Sequence, residues 1–201
     1  VTIVEDRPSA GYEAARKAMI DSQLRTSGVN AHDVLARMGS VPREDFVPAG
    51  AKGFAYMDRA IPLGGGRYLA PPLAQGLMLQ EARPERSDKA LLVDGGSGYL
   101  AELLRPMVGS LEVISPEEAA TAHSGQGDYS LLVIDGAIEQ FPESLARSLA
   151  GNGRVVTGWL RDGITRLATG RVAAGEVALL PLAELGIPVL PEFTKPKGWS
   201  F

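Results

Sequence analysis

The chain has 201 residues, 45% of them hydrophobic, and a formal net charge of −4. That length and composition suit one domain with a sizeable core, and the mild acidity, without any block of like charges, argues against nucleic acid or an anionic membrane as a partner. The absence of cysteine excludes disulfides, thiolate nucleophiles and zinc–thiolate sites. The two histidines, His32 and His123, lie too far apart for metal-ligand spacing and lack a base partner, so neither a metal nor a catalytic histidine is expected. The longest apolar runs, such as residues 131–134, are too short to span a bilayer. The first residues lack the basic start and apolar core of a signal peptide, so a cytoplasmic protein is expected.

In chain order, residues 11–27 predict an amphipathic helix carrying Ala15, Ala18, Met19 and Leu24, with Gly28 as its stop. Asn30 is placed as the N-cap of a second helix, with Asp33 in its first turn and Val34, Leu35 and Met38 on its apolar face, ending before Pro42. Residues 42–72 are rich in proline and glycine and predict long loops with short extended pieces, in which Phe46, Val47, Phe54, Tyr56, Ile61 and Leu63 call for burial. A helix over about 72–82 follows.

From Lys89 the pattern changes. Residues 90–93, 111–114, 131–134 and 154–157 are short β-prone runs, with helical segments at 99–107 and 141–150 between them. Apolar runs without alternation suit strands covered on both faces, as in a parallel sheet. Residues 171–182 and the proline-punctuated tail predict antiparallel strands at one edge. The expectation is a single domain, with a helical and loop-rich annex over 1–86 leading into an open α/β core over 87–201.

The most informative motif is Leu91-Leu92-Val93-Asp94-Gly95-Gly96-Ser97-Gly98-Tyr99, a strand entering a glycine turn that opens a helix. Glycines there let the backbone approach a ligand, and a helix start offers free N–H groups. A tight turn with no ligand explains the same residues equally well. The run from Gly96 to Ala101 also fits the G-x-G-x-x-A dinucleotide pattern, but Glu117 and Glu118, where a ribose-binding acid would fall, follow Pro116 and read better as the opening of a short helix. A NAD-dependent enzyme is therefore the third reading.

Several segments, in order, resemble the protein-L-isoaspartate O-methyltransferases. They are Arg16-Lys17-Ala18-Met19 with Gln23-Leu24, Val34-Leu35-Ala36-Arg37-Met38, Val41-Pro42-Arg43-Glu44-Asp45-Phe46-Val47-Pro48, Ala55-Tyr56-Met57-Asp58, Ile61-Pro62-Leu63-Gly64, and the turn ending Ser97-Gly98-Tyr99. The resemblance implies a Rossmann-like methyltransferase fold and transfer of a methyl group from S-adenosylmethionine to the carboxyl of isoaspartyl residues in damaged proteins. It places the cofactor against Asp94, Gly95, Gly96, Ser97, Gly98 and Tyr99, with Ser115 and Asp135 at the neighbouring strand ends. It places the substrate across Tyr56, Asp58, Gly64, Gly65, Gly66, Ala70 and Pro72. Isoaspartyl-containing proteins are the implied partners, and a homodimer is compatible with the sequence. A nucleophile that is already a carboxylate needs alignment more than activation, so no catalytic residue is assigned.

Four departures from the family pattern stand out. Ala70 replaces a serine in the substrate-side segment. Asp94 stands at the first glycine of the cofactor turn, with Leu92 in place of the acid two positions earlier. Ser115 replaces the acid expected to grip ribose hydroxyls. Only 11 residues separate Pro116 from Asp128, too few for the usual third strand and its helix. These departures carry the alternative reading, a catalytically inactive member acting as a binding or scaffold protein with cofactor binding weakened or lost. Among the remaining residues, Asp58 serves either a cleft or a loop cap, and Arg43 and Glu44 are expected to pair with each other. Asp135 serves either a ligand or an Asp-Gly turn, and Trp159 and Trp199 are expected to pack.

Overall fold

The computed structural model describes residues 8–121, 127–173 and 175–195. His123 and Trp199 lie outside the described residues. The annex opens with helix α1 (Pro8–Met19), which runs on through a π-turn (Ile20–Leu24) and a 3-10 turn (Arg25–Ser27) until Gly28 takes a left-handed φ of 97°. Helix α2 (His32–Ser40) buries Val34, Leu35 and Met38. Its entry differs from the expected cap. Asn30 turns its amide back to the Gly28 carbonyl, and the side chain of Gln80 accepts the N–H groups of Asn30 and Ala31 instead. Two 3-10 turns (Arg43–Phe46 and Ala49–Phe54) lead to a hairpin, β1 (Ile61–Gly64) and β2 (Arg67–Leu69). Phe54, expected inside, is 45% exposed and lies under the Arg59 guanidinium. Helix α3 (Pro72–Ala82) then starts on a proline whose missing N–H is harmless at a first helical position.

The core is a six-stranded sheet in the order β4-β3-β5-β6-β7-β8. Strands β3 (Lys89–Val93), β4 (Ser110–Ile114), β5 (Tyr129–Ile138) and β6 (Leu149–Arg161) are parallel. Strands β7 (Ile164–Ala173) and β8 (Glu176–Glu184) extend the sheet as an antiparallel edge. Helices α4 (Tyr99–Leu104), α5 (Pro116–Thr121) and α6 (Glu143–Ser148) are short. Strand β4 ends the described sheet on its other side, so no described strand lies beyond it.

The unbroken apolar runs have a direct structural cause. Ala90 and Leu92 of β3, with Leu131 and Val133 of β5, face the annex helices and α3. Their neighbours Leu91, Val93, Leu132 and Ile134 face α5, α6 and the tail residue Phe193. Each side chain lands on a covered face, so period-two alternation survives in space while vanishing from hydropathy. Met19, Leu24, Met38, Ile61 and Leu69 of the annex share one core with Leu92, Tyr99 and Leu131 of the sheet. The annex is thus packed into the same core as the sheet.

Candidate functional site

Strand register brings three predicted residues to one level. Val93 pairs with Ile114 on one side and with Ile134 on the other, so Asp94 and Ser115, which directly follow β3 and β4, lie level with Asp135 inside β5. The chain leaves β3 for β4 on one flank and returns as β5 on the other. That reversal makes the crevice between β3 and β5 the place where open α/β sheets bind ligands.

The turn from Asp94 to Tyr99 is shaped by Gly96 and Gly98, with φ of 106° and 72°. Gly95 packs directly on the backbone carbonyl of Asp135, leaving no room for a side chain. Asp94 closes the turn from within, because its carboxylate accepts the N–H of Gly96 at 3.0 Å and that of Gly98 at 3.0 and 3.2 Å. Burial pushes the Asp94 carboxyl upward, against the pull of those two N–H groups and of Arg67. Ser97 caps Tyr99 N at 3.1 Å. Ser115 is engaged in a reciprocal cap of α5, accepting the Glu118 N–H while the Glu118 carboxylate accepts its own.

Asp135 is fully enclosed. Both its oxygens accept from the Gln75 amide, at 3.2 and 3.0 Å, and burial, with the Asp94 charge nearby, pushes its carboxyl up to about 7. Gln75 in turn accepts from Arg43 Nη1 at 2.6 Å. Arg43 has no exposed surface; it donates Nε to the Ala55 carbonyl at 2.8 Å and Nη2 to that of Ala70, and lies 4.7 Å over the Tyr99 ring. The expected Arg43–Glu44 pair does not form. Glu44 instead accepts from the Tyr56 hydroxyl and from Arg16 Nη2 at 3.3 Å. A helical one-turn geometry explains this, since adjacent residues on a 3-10 turn point to different sides.

The substrate-side residues gather less tightly. The Tyr56 hydroxyl points into the annex, where it also accepts from Arg16 Nε at 2.8 Å. Asp58 accepts the Leu73 N–H at 3.1 Å, capping the start of α3, and lines a cavity of ≈ 260 Å³ with Arg59, Pro71, Leu73, Leu185 and Gly186. Gly64, Gly65 and Gly66 form the exposed left-handed tip of the hairpin. Ala70 and Pro72 are buried at the root of α3.

Two residues that sequence reasoning missed complete the site. Arg67 of β2 lies over the turn: a Cβ on Gly96 would come within 3.1 Å of the Arg67 stem. Its guanidinium donates to Glu192 at 3.1 and 2.7 Å and to Glu117. Glu192 arrives on the tail, which crosses the end of β5 through Ala137 N to the Pro188 carbonyl at 2.7 Å and Leu190 N to the Ala137 carbonyl at 2.9 Å. Among the described residues no group of three or more His, Cys, Asp or Glu could hold a metal ion, and no helix is long and apolar enough to cross a membrane.

Comparison with known proteins agrees with this architecture. The family model for protein-L-isoaspartate(D-aspartate) O-methyltransferase matches residues 14–122, from α1 to the start of the stretch after α5. The protein-L-isoaspartate O-methyltransferase of Gloeobacter violaceus is 34% identical over 163 residues, spanning 69% of this chain and 79% of that one. A second relative of that name, from Anaeromyxobacter sp., is 29% identical over 168 residues, 72% of this chain and 69% of its own. Among solved structures, a Plasmodium falciparum chain assigned to the same methyltransferases, in complex with S-adenosyl-L-homocysteine, superposes with a TM-score of 0.68 at 16% identity, covering 90% of this chain and 98% of that one. Another structure of a protein-L-isoaspartate O-methyltransferase gives 0.70 at 14% identity, covering 87% and 65%. These two likenesses establish the mostly parallel Rossmann-like fold with its antiparallel edge. On the match over residues 14–122, the chain belongs to the protein-L-isoaspartate O-methyltransferase family.

Proposed function

We propose that this protein transfers a methyl group from S-adenosylmethionine to the carboxyl of isoaspartyl residues in proteins. The observation that carries the reading is the glycine turn at the switch point between β3 and β5, lying inside the stretch that matches the family. The residues fit the cofactor in kind. Gly98 faces open space, with nothing within 4 Å of where a Cβ would stand. The Asp94 carboxylate places negative charge at the turn, which favours a cationic sulfonium or ammonium over a neutral ligand. Asp94, Gly96, Ser97 and Gly98 would hold the cofactor, with Ser115 and Asp135 flanking them. When bound, S-adenosylmethionine supplies the electrophilic methyl group.

The chain's own part is alignment. The attacking isoaspartyl carboxylate needs no base, so a site without histidine or cysteine suffices for proximity and orientation. The Asp58 cavity beside the α3 root offers the substrate a place, with the Arg59 guanidinium as its cation for an anionic peptide. The Tyr56 hydroxyl, held by Glu44 and Arg16, would fix the segment that leads to Asp58.

One observation favours a second reading, a non-catalytic binding member. Asp94 already takes the Gly96 and Gly98 N–H groups, and Ser115 is engaged in the α5 cap. Calorimetric titration with S-adenosylhomocysteine separates the two. Binding in the micromolar range is expected, and Gly96→Arg should abolish it, because the new side chain enters the space of the Arg67 stem at a φ of 106°. No heat from the parent chain, nor from a folded variant lacking the Arg67 side chain, would favour the second reading.

A further inference from the structure

The strongest unexplained feature beside the turn is the placement of Arg67. Three segments distant in sequence converge on it: the hairpin that carries it, the start of α5 with Glu117, and the tail with Glu192. The Arg67 and Glu192 side chains are 18% and 19% exposed, whereas Glu117 is 62% exposed. The covered, two-bond contact to Glu192 is therefore the firm arm, and Glu117 the outer one. Glu192 sits on a tail held by backbone hydrogen bonds to β5 at Ala137 and, just past its end, from Gln140 N to the Phe193 carbonyl at 2.9 Å. Arg67 sits on a two-stranded hairpin separate from the main sheet, with the left-handed Gly64, Gly65 and Gly66 at its tip.

We propose that Arg67, held by Glu192 and Glu117, is a clamp across the mouth of the glycine turn that must release before S-adenosylmethionine can enter, so that Arg67 sets the protein's cofactor affinity. The inference rests on the methyltransferase reading and specifies how that site is regulated. The stem of Arg67 takes up the space in front of Gly96, and the guanidinium fixes it there from both sides. A ligand that binds only the open form has its apparent affinity reduced by the fraction of molecules that are open. Salt screens a partly exposed ion pair and so shifts the population toward opening. S-adenosylhomocysteine carries no net charge near neutral pH, and salt would weaken any contact of its ammonium with Asp94, so a rise in affinity with salt points to the clamp.

The test titrates S-adenosylhomocysteine into the parent chain, Arg67→Ala and Glu192→Gln at low and high salt. Both variants are expected to bind about tenfold more tightly than the parent, as for a clamp closed in roughly nine molecules of ten. The parent's affinity should rise with salt, and that rise should vanish in the variants. Glu192→Gln leaves the hairpin and turn intact, so it carries the test if Arg67→Ala fails to fold. Equal or weaker binding in Glu192→Gln, with the parent binding, overturns the clamp and leaves the methyltransferase reading standing. Absence of binding in the parent and in every folded variant overturns both. Binding in the variants alone supports both.

Discussion

Replacing Arg43 by methionine is expected to destabilise the fold by about 3–5 kcal/mol, a large fraction of a typical domain's stability. The side chain is fully buried and its three donor nitrogens satisfy the Ala55 carbonyl, the Ala70 carbonyl and Gln75 Oε1. Methionine preserves much of the volume but leaves those three acceptors without a partner, each at about 1–3 kcal/mol. Removing the buried charge returns part of its desolvation cost, which keeps the total below the sum of three. Burial holds the Arg43 guanidinium below its usual range, yet it stays cationic at neutral pH. The loss should also reach function, because Arg43 ties the annex at Ala55 to the α3 root at Ala70 and, through Gln75, to Asp135. Arg43→Lys should rescue little, since one ammonium cannot reproduce the planar fork. Urea unfolding reads both variants. A lysine variant with the parent's midpoint would show that the fork geometry is not what matters.

The second large effect is a pH dependence centred on Asp135. Its folded carboxyl titrates at about 7, against an ordinary value of 3.8, because burial and then the Asp94 charge disfavour the ionised form. Between those values the folded protein holds a proton that the unfolded chain has released. The group's favourable contribution is therefore fully present below about pH 4 and is lost as pH rises toward 7. Asparagine cannot ionise and can still offer its carbonyl to the Gln75 amide. Asp135→Asn should thus gain on the parent as pH rises from 4 to 8, by about 2–4 kcal/mol given about 1.4 kcal/mol per pH unit. Paired denaturant melts across that range test this directly. A stability difference independent of pH would show that Asp135 is ionised throughout, held so by Gln75 and Arg43.

Much of the fold was legible because it rests on local pattern. The strands at 90–93, 111–114, 131–134 and 154–157 are apolar runs buried on two faces, and the glycine turn needs left-handed residues that only Gly96 and Gly98 supply easily. Among the described residues the sheet ends at β4. What escaped depends on partners remote in sequence. Arg67 and Glu192 meet across a separation of 125 residues, and nothing local to either marks it as part of a site. Arg43 and Glu44 looked like a pair by adjacency, but a 3-10 turn sends one into the core and the other toward Arg16 and Tyr56. Gln80 displaced Asn30 as the α2 cap for the same reason, since α3 happens to pass within reach. Phe54 was expected inside from its hydrophobicity alone, whereas its turn leaves the ring on the surface beneath Arg59.

The most direct test of the central claim is methyl transfer itself. Labelled S-adenosylmethionine is supplied with the folded protein and two peptides identical except for an isoaspartyl or an ordinary aspartyl residue, at a salt concentration high enough to open the Arg67 clamp. The account predicts a base-labile methyl ester on the isoaspartyl peptide alone, abolished by Gly96→Arg. No ester on either peptide, from a protein that binds S-adenosylhomocysteine, would contradict the proposed activity and leave a family scaffold that holds the cofactor without using it.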